Sequence, residues 1–173
     1  AAVRDPDLVL LLPGSRRSEV ERLLPPLLET AAELKRRQPR LHFVLPVPRP
    51  AVAEIARECI ARRRGRPDVE LSIETGRTHH WMQRAAAGIA ASGTVTMEAA
   101  ILGLPLVSVY RLAWPTYWLG RLVIRGVPFF TIVNLVARRE VFAEFLQGRV
   151  CAACLAPALE ALLPGGARRA EVE

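Results

Sequence analysis

The stretch Ala91-Ser92-Gly93-Thr94-Val95-Thr96-Met97-Glu98, continued by Ala99 to Gly103 and by Pro105-Leu106-Val107-Ser108-Val109-Tyr110-Arg111, decides the fold. It reads as the end of a buried strand, a turn that opens a helix, and the next strand. Ile89 and the alanines around it are small and apolar, as a strand lying under helices requires. Ser92, Gly93 and Thr94 then punctuate the chain. Gly93 lets a ligand come close to the backbone, and the hydroxyls can cap the helix that follows. The N–H groups at the start of that helix favour an anion such as a phosphate. Glu98 falls about one turn in, where its carboxylate can accept hydrogen bonds from the hydroxyls of a sugar. The same residues also suit an ordinary capped helix of any α/β sheet.

Upstream, Asp7-Leu8-Val9-Leu10-Leu11-Leu12 is a continuous apolar run between Pro6 and Pro13-Gly14, the pattern of a buried parallel strand. Ser18 followed by Glu21 is a capping-box pattern. Val20, Leu23, Leu24, Leu27, Leu28, Ala31 and Leu34 then mark one helical face, which Pro25 and Pro26 are expected to kink or restart. The turn Gly14-Ser15-Arg16 offers backbone N–H groups and a guanidinium to a phosphate. It is not a Walker loop, because no Gly-Lys-Ser/Thr follows; a plain surface turn is the alternative. Leu41 to Val47 and Val69 to Ile73 read as the second and third strands, with a helix from Ala51 to Arg62 between them and a basic surface turn from Arg62 to Arg66. A short helix after Gly76-Arg77 carries His79, His80, Trp81 and Met82. Ala87 to Ala91 and Pro105 to Tyr110 are the fourth and fifth strands.

This βαβ alternation predicts a Rossmann-like parallel sheet with helices on both faces, and all strand C-termini on one edge. Ligands bind along such an edge. The Gly14 turn, the Glu74-Thr75-Gly76 turn, the Ser92-Gly93-Thr94 turn and Tyr110-Arg111 all belong to it. Beyond Arg111, the aromatic and apolar element from Trp114 to Gly126 is too short to span a bilayer and suits a membrane surface, a partner or the core. Pro128 to Val133 reads as a short strand. Asn134 reads as the cap of a helix carrying Glu140 and Glu144 on one face. Ala152 to Leu163 is a last helix interrupted near Pro157, and residues 164–173 form a polar, frayed tail.

The 173 residues are 51% apolar with a net charge of +7, enough for one domain with a core and a bias toward an anionic partner: nucleotide, phospholipid surface or nucleic acid, of which the last is not expected. The arginines are dispersed, and no block of like charge stands out. Three cysteines fit a reducing compartment. Cys151-Ala152-Ala153-Cys154 has redox spacing but lacks a second Cys or His pair. His79 and His80 diverge by about 100° on a helix, so one metal does not take both, and no metal or other cofactor is expected. No signal peptide is visible, and no apolar run approaches the roughly 18 residues of a membrane span.

Four motifs in order carry a resemblance: Leu11-Leu12-Pro13-Gly14-Ser15-Arg16 with Ser18-Glu19; Ser92 to Glu98; Tyr110-Arg111; and Asn134-Leu135-Val136-Ala137-Arg138-Arg139-Glu140 leading to Glu144-Phe145-Leu146-Gln147. Across roughly Leu8 to Leu163 the chain resembles the lipid A disaccharide synthases. The resemblance implies a GT-B glycosyltransferase of two Rossmann-like domains, of which residues 1–163 are similar to the C-terminal, UDP-sugar-binding one. No stretch here answers to the N-terminal acceptor domain, where a general base is expected. The implied reaction moves 2,3-diacylglucosamine from UDP-2,3-diacylglucosamine to lipid X, giving the β-1,6 disaccharide 1-phosphate and UDP with inversion. The implied setting is the cytoplasmic side of the inner membrane, as a peripheral protein and a possible homo-oligomer. The chain alone is expected to bind donor without turning it over.

By motif, Gly14, Ser15, Arg16, Ser92, Gly93 and Thr94 are expected at the diphosphate, with Arg16 stabilising the leaving group. Glu98 is expected at the ribose. Tyr110, Arg111 and Asn134 are expected to line the pocket, with Arg139 and Glu140 beside it. Two other readings compete: another UDP-sugar enzyme of this fold, such as a 2-epimerase, and a non-catalytic basic module that binds a membrane or partner through Trp114 to Ile124.

Overall fold

The computed structural model describes residues 3–63, 69–111 and 129–172. The element from Trp114 to Gly126 and most of the basic turn from Arg62 to Arg66 lie outside them. Six strands form one sheet: β1 (Asp5–Leu12), β2 (His42–Val47), β3 (Leu71–Thr75), β4 (Ala85–Ala91), β5 (Leu106–Tyr110) and β6 (Ala143–Leu146). Their order is β3-β2-β1-β4-β5-β6, and every pairing is parallel. The helices are α1 (Arg17–Arg37), α2 (Pro50–Ala61), α3 (Thr78–Arg84), α4 (Thr94–Ile101), α5 (Ile132–Ala137), α6 (Ala152–Glu160) and α7 (Arg169–Val172).

Alternate residues of β1 point to opposite sides, and each side has its own core. Val9 and Leu11 pack with Val20, Leu24 and Leu27 of α1, Val52 and Ala56 of α2, and Leu155 and Leu159 of α6. Leu8, Leu10 and Leu12 pack with Met82 of α3, Ala99 of α4, and Phe142. The expectation of helices on both faces therefore holds. β4 reads Ala-Ala-Ala-Gly-Ile-Ala-Ala and is buried throughout. A β-carbon on its Gly88 would stand 3.2 Å from Leu106 Cδ1 and 3.4 Å from Leu10 Cβ, which explains the absence of a side chain there.

Several local expectations are corrected. Pro25 and Pro26 sit inside one 21-residue helix without a break. Pro26 has no N–H for the carbonyl of Arg22, and Arg111 Nη1 donates to that oxygen at 3.3 Å instead. The start of α1 is capped not by Ser18 and Glu21 but two residues earlier: Arg16 is the cap, and Glu19 reaches back to its N–H. Ile132 and Val133 of the expected short strand instead open α5, which is capped by Thr131 and not Asn134, and the sixth strand follows at Ala143–Leu146. Asn134 lies inside that helix, Glu140 in the loop after it, and Glu144 on β6. Pro157 does not interrupt α6.

The tail is docked rather than frayed. Arg168 N donates to Ala161 O at 2.9 Å, and Arg169 Nη1 donates to Ala86 O and Leu162 O. Val172 packs against both cores. Among the described residues no helix is long and apolar enough to cross a membrane.

Candidate functional site

The sheet order changes direction between β1 and β4, so the connections leaving their C-terminal ends run to opposite sides and leave a crevice. A cleft of about 930 Å³ opens there. Its walls are four chain segments that each follow a strand: Gly14-Ser15-Arg16 after β1, Pro46 and Pro48 at β2, Gly76 to His80 after β3, and Ser92 to Glu98 after β4. Seven of the residues singled out from the sequence meet in this lining: Gly14, Ser15, Arg16, Ser92, Gly93, Thr94 and Glu98.

The first turn is built around a carboxylate. Glu19 Oε2 accepts from Ser15 N at 3.0 Å and from Arg16 N at 3.2 Å, and its other oxygen lies 3.5 Å from Arg16 Nη1. Gly14 has φ +110°, and a β-carbon there would collide with the Glu19 side chain. Glycine is thus required twice over, by its backbone angle and by the close approach. The Ser15 and Arg16 amides, expected at a phosphate, are bonded to an internal anion. The Arg16 side chain, 82% exposed, is left to face the cleft.

The second turn behaves differently. Gly93 is the cap residue of α4 and makes no side-chain cap, so neither Ser92 nor Thr94 caps the helix. Ser92 spends its N–H on Val109 O at 2.9 Å, and its hydroxyl donates to Phe130 O at 3.5 Å. Thr96 donates its hydroxyl to Gly93 O at 2.7 Å, which tightens the turn. N–H groups of a helix's first turn have no carbonyl within their own helix, so Thr94 and Val95 present a positive end to the cleft. Glu98, one turn deeper, is reached by His79 of α3: Nε2 and Oε2 are 2.7 Å apart. His80 packs edge-on to Trp81, with ring centroids 5.6 Å apart. The two histidines therefore serve different partners. Among the described residues no group of His, Cys, Asp and Glu is placed to hold a metal ion.

The other five residues lie outside the cleft lining. Tyr110 ends β5 on the same edge but does not line the cleft. Arg111 turns its guanidinium onto three carbonyls, those of Arg22, Gln147 and Val150, the last at 2.8 Å. Asn134 is fully buried. Its amide nitrogen donates to Phe142 O and to Glu144 Oε1, and its oxygen accepts from Val141 N and Phe142 N. Glu144 also accepts from Phe130 N, Thr131 N and the Thr131 hydroxyl, which fastens the start of α5 to β6. Arg139 and Glu140 precede β6 and so stand toward the amino ends of the strands, opposite the cleft; Glu140 pairs with Arg168 at 3.2 Å. The cleft residues that sequence reading missed are Glu19 as the filler of the first turn and His79 as the partner of Glu98. Glu19 carried a signal, an acid three residues into a helix that follows Pro-Gly-Ser-Arg. The partner of His79 carried none, since 19 positions separate the pair.

A family model described as lipid-A-disaccharide synthetase matches residues 3–173. The chain belongs to that family. A lipid-A-disaccharide synthase of Myxococcus xanthus is 37% identical over 169 residues, covering 98% of this chain and 43% of the relative. One of Nitrobacter winogradskyi is 40% identical over 159 residues, covering 92% and 39%. The chain thus spans about two fifths of the length of these relatives. Among solved structures, the Escherichia coli ADP-heptose lipopolysaccharide heptosyltransferase II superimposes with a TM-score of 0.59 at 15% identity, over 95% of this chain and 48% of that one. The spinosyn rhamnosyltransferase SpnG, solved with thymidine diphosphate, gives 0.58 at 16% identity, over 99% and 40%. The fold is that of one Rossmann-like domain of a GT-B glycosyltransferase, as the family membership requires.

Proposed function

We propose that this chain is the donor-binding half of a lipid A disaccharide synthase and that its cleft holds the UDP of UDP-2,3-diacylglucosamine. The observation that carries the reading is the meeting of two strand-to-helix turns at the point where the sheet order reverses, with Arg16 on one side and Glu98 on the other. The diphosphate would lie between the Arg16 guanidinium and the first turn of α4, and Glu98 would accept from the ribose hydroxyls.

In the transfer, the bond between the sugar's anomeric carbon and the β-phosphate oxygen breaks as the 6-hydroxyl oxygen of lipid X attacks from the opposite face, inverting the centre. The departing UDP takes the electron pair. Its growing charge is met by fixed N–H dipoles and by Arg16, which need no reorganisation at the moment of reaction. The proton of the attacking hydroxyl passes to a base in the acceptor domain. Peripheral association with the cytoplasmic face of the inner membrane suits the acylated substrates and the net charge of +7.

Calorimetry with UDP tests the reading on this chain. The wild type should bind, and Arg16→Ala and Glu98→Ala should each weaken binding by roughly tenfold or more, the loss expected for a charge-assisted hydrogen bond. A wild-type chain that binds liposomes but not UDP would instead support a non-catalytic membrane module.

A further inference from the structure

His79 has no part in the reading above, yet it closely contacts Glu98, the residue assigned to the ribose. It stands in the first turn of α3, and its Nε2 lies 2.7 Å from Glu98 Oε2. Both residues line the cleft, and both are reachable by solvent, with side chains 67% and 40% exposed. A carboxylate only accepts, so the ring nitrogen facing it carries the proton. Glu98 Oε1 makes no hydrogen bond among the described residues.

We infer that His79 is a positioning residue for the nucleotide: it fixes Glu98 through Oε2 and leaves Oε1 open to the vicinal hydroxyls of a ribose. Two physical effects follow. A glutamate has three rotatable bonds, and holding it in place before the ligand arrives removes part of the ordering cost of binding. The second effect is electrostatic. A diphosphate entering the cleft meets two carboxylates, Glu19 and Glu98. Glu19 is already bonded to the N–H groups of Ser15 and Arg16. The imidazole N–H of His79 does the same for Glu98, so neither acid confronts the ligand bare. His80 cannot substitute, because its ring is packed against Trp81.

The inference rests on the donor-site reading, and the test separates the two. UDP and 2′,3′-dideoxy-UDP are titrated into the intact wild-type chain and into His79→Ala, His79→Gln, Glu98→Gln and the His79→Ala/Glu98→Gln double variant. His79→Ala should weaken UDP by about threefold to fivefold, the range of an exposed hydrogen bond to a carboxylate. It should weaken the dideoxy nucleotide less, because only the electrostatic part of the effect is lost there. His79→Gln, which can still donate to Glu98, should recover most of the loss, and His79→Ala should cost nothing further in the Glu98→Gln background. An unchanged UDP affinity in His79→Ala, or an equal loss for both nucleotides, overturns the role. Tighter UDP binding also overturns it, since the ring would then be competing with the ligand for the carboxylate. If the wild type binds no UDP, the donor-site reading falls and this one with it.

Discussion

A β-carbon placed on Gly14 would run into the carboxylate of Glu19, and that carboxylate holds the N–H groups of the two residues that follow the glycine. The two residues form one unit. The positive φ of Gly14 turns the chain back over the start of α1, and Glu19 fills the space that the missing side chain leaves. Gly14→Ala should therefore cost about 1–3 kcal/mol of stability through backbone strain, with a further loss from the displaced carboxylate. Thermal melts should show this, and UDP titration should show weakened binding, because Arg16 leaves from the same turn.

Glu19 also occupies amides that an external anion could use. Removing it as Glu19→Ala should lower stability by about 1 kcal/mol, the usual cost of a lost helix cap. It should at the same time raise affinity for inorganic pyrophosphate, since two N–H groups become free and a negative charge leaves the cleft. The two measurements should move in opposite directions. A loss in both would mean that Glu19 serves the turn's shape alone.

Asn134 uses both ends of its amide inside the protein. Asn134→Ala would take their partner from the Phe142 N–H and carbonyl and one donor from Glu144, at about 2–4 kcal/mol, while Val141 N–H keeps Arg139 O. Asn134→Asp should be worse, because it removes both donors and sets an acid against Glu144 and Phe142 O. Denaturant unfolding of the three proteins should rank them wild type, Ala, Asp.

Arg111 should act on stability before it acts on nucleotide binding. Its three carbonyl partners come from α1 and from the segment after β6, and a lysine cannot reach them in one plane. Arg111→Ala and Arg111→Lys should each cost about 1–2 kcal/mol. The UDP affinity of whatever remains folded should match the wild type, which calorimetry below the transition temperature can check.

The thiols should be sluggish. Burial pushes the Cys59 thiol up, and the neighbouring Cys151 holds Cys154 above its ordinary value. Raised values mean less thiolate at neutral pH. Alkylation by iodoacetamide should then run slower than for free cysteine, and it should accelerate as pH climbs past the normal thiol value of about 8.5. Rapid modification of Cys154 at neutral pH would contradict this.

The sheet and the cleft were legible because short apolar runs ending in Gly, Ser and Thr have few other uses. The run Leu8 to Leu12 and the alanines before Ser92 became adjacent central strands, and their turns became the cleft walls. The region after Arg111 was not legible in this way. Asn134 carries the residue type of a helix cap, and local preference put it at a helix start. Thr131, three residues earlier, takes that position, and Asn134 is drawn inward by Phe142 and Glu144, partners that only the packed β6 supplies. The prolines of α1 misled for a similar reason: propensity counts the lost hydrogen bond, while the fold returns one through Arg111. Interactions between elements far apart in sequence, such as His79 with Glu98, leave no periodic trace to read.

The proline gap in α1 has a mechanical consequence. The helix begins immediately after Arg16, and about one and a half turns on, the bare carbonyl of Arg22 is grasped by Arg111, the residue directly after β5. The phosphate-side turn and the end of β5 are therefore joined through the first quarter of a stiff rod, with Arg111 as the bracket. Neither end of the strand edge therefore hangs as an independent loop in the resting fold.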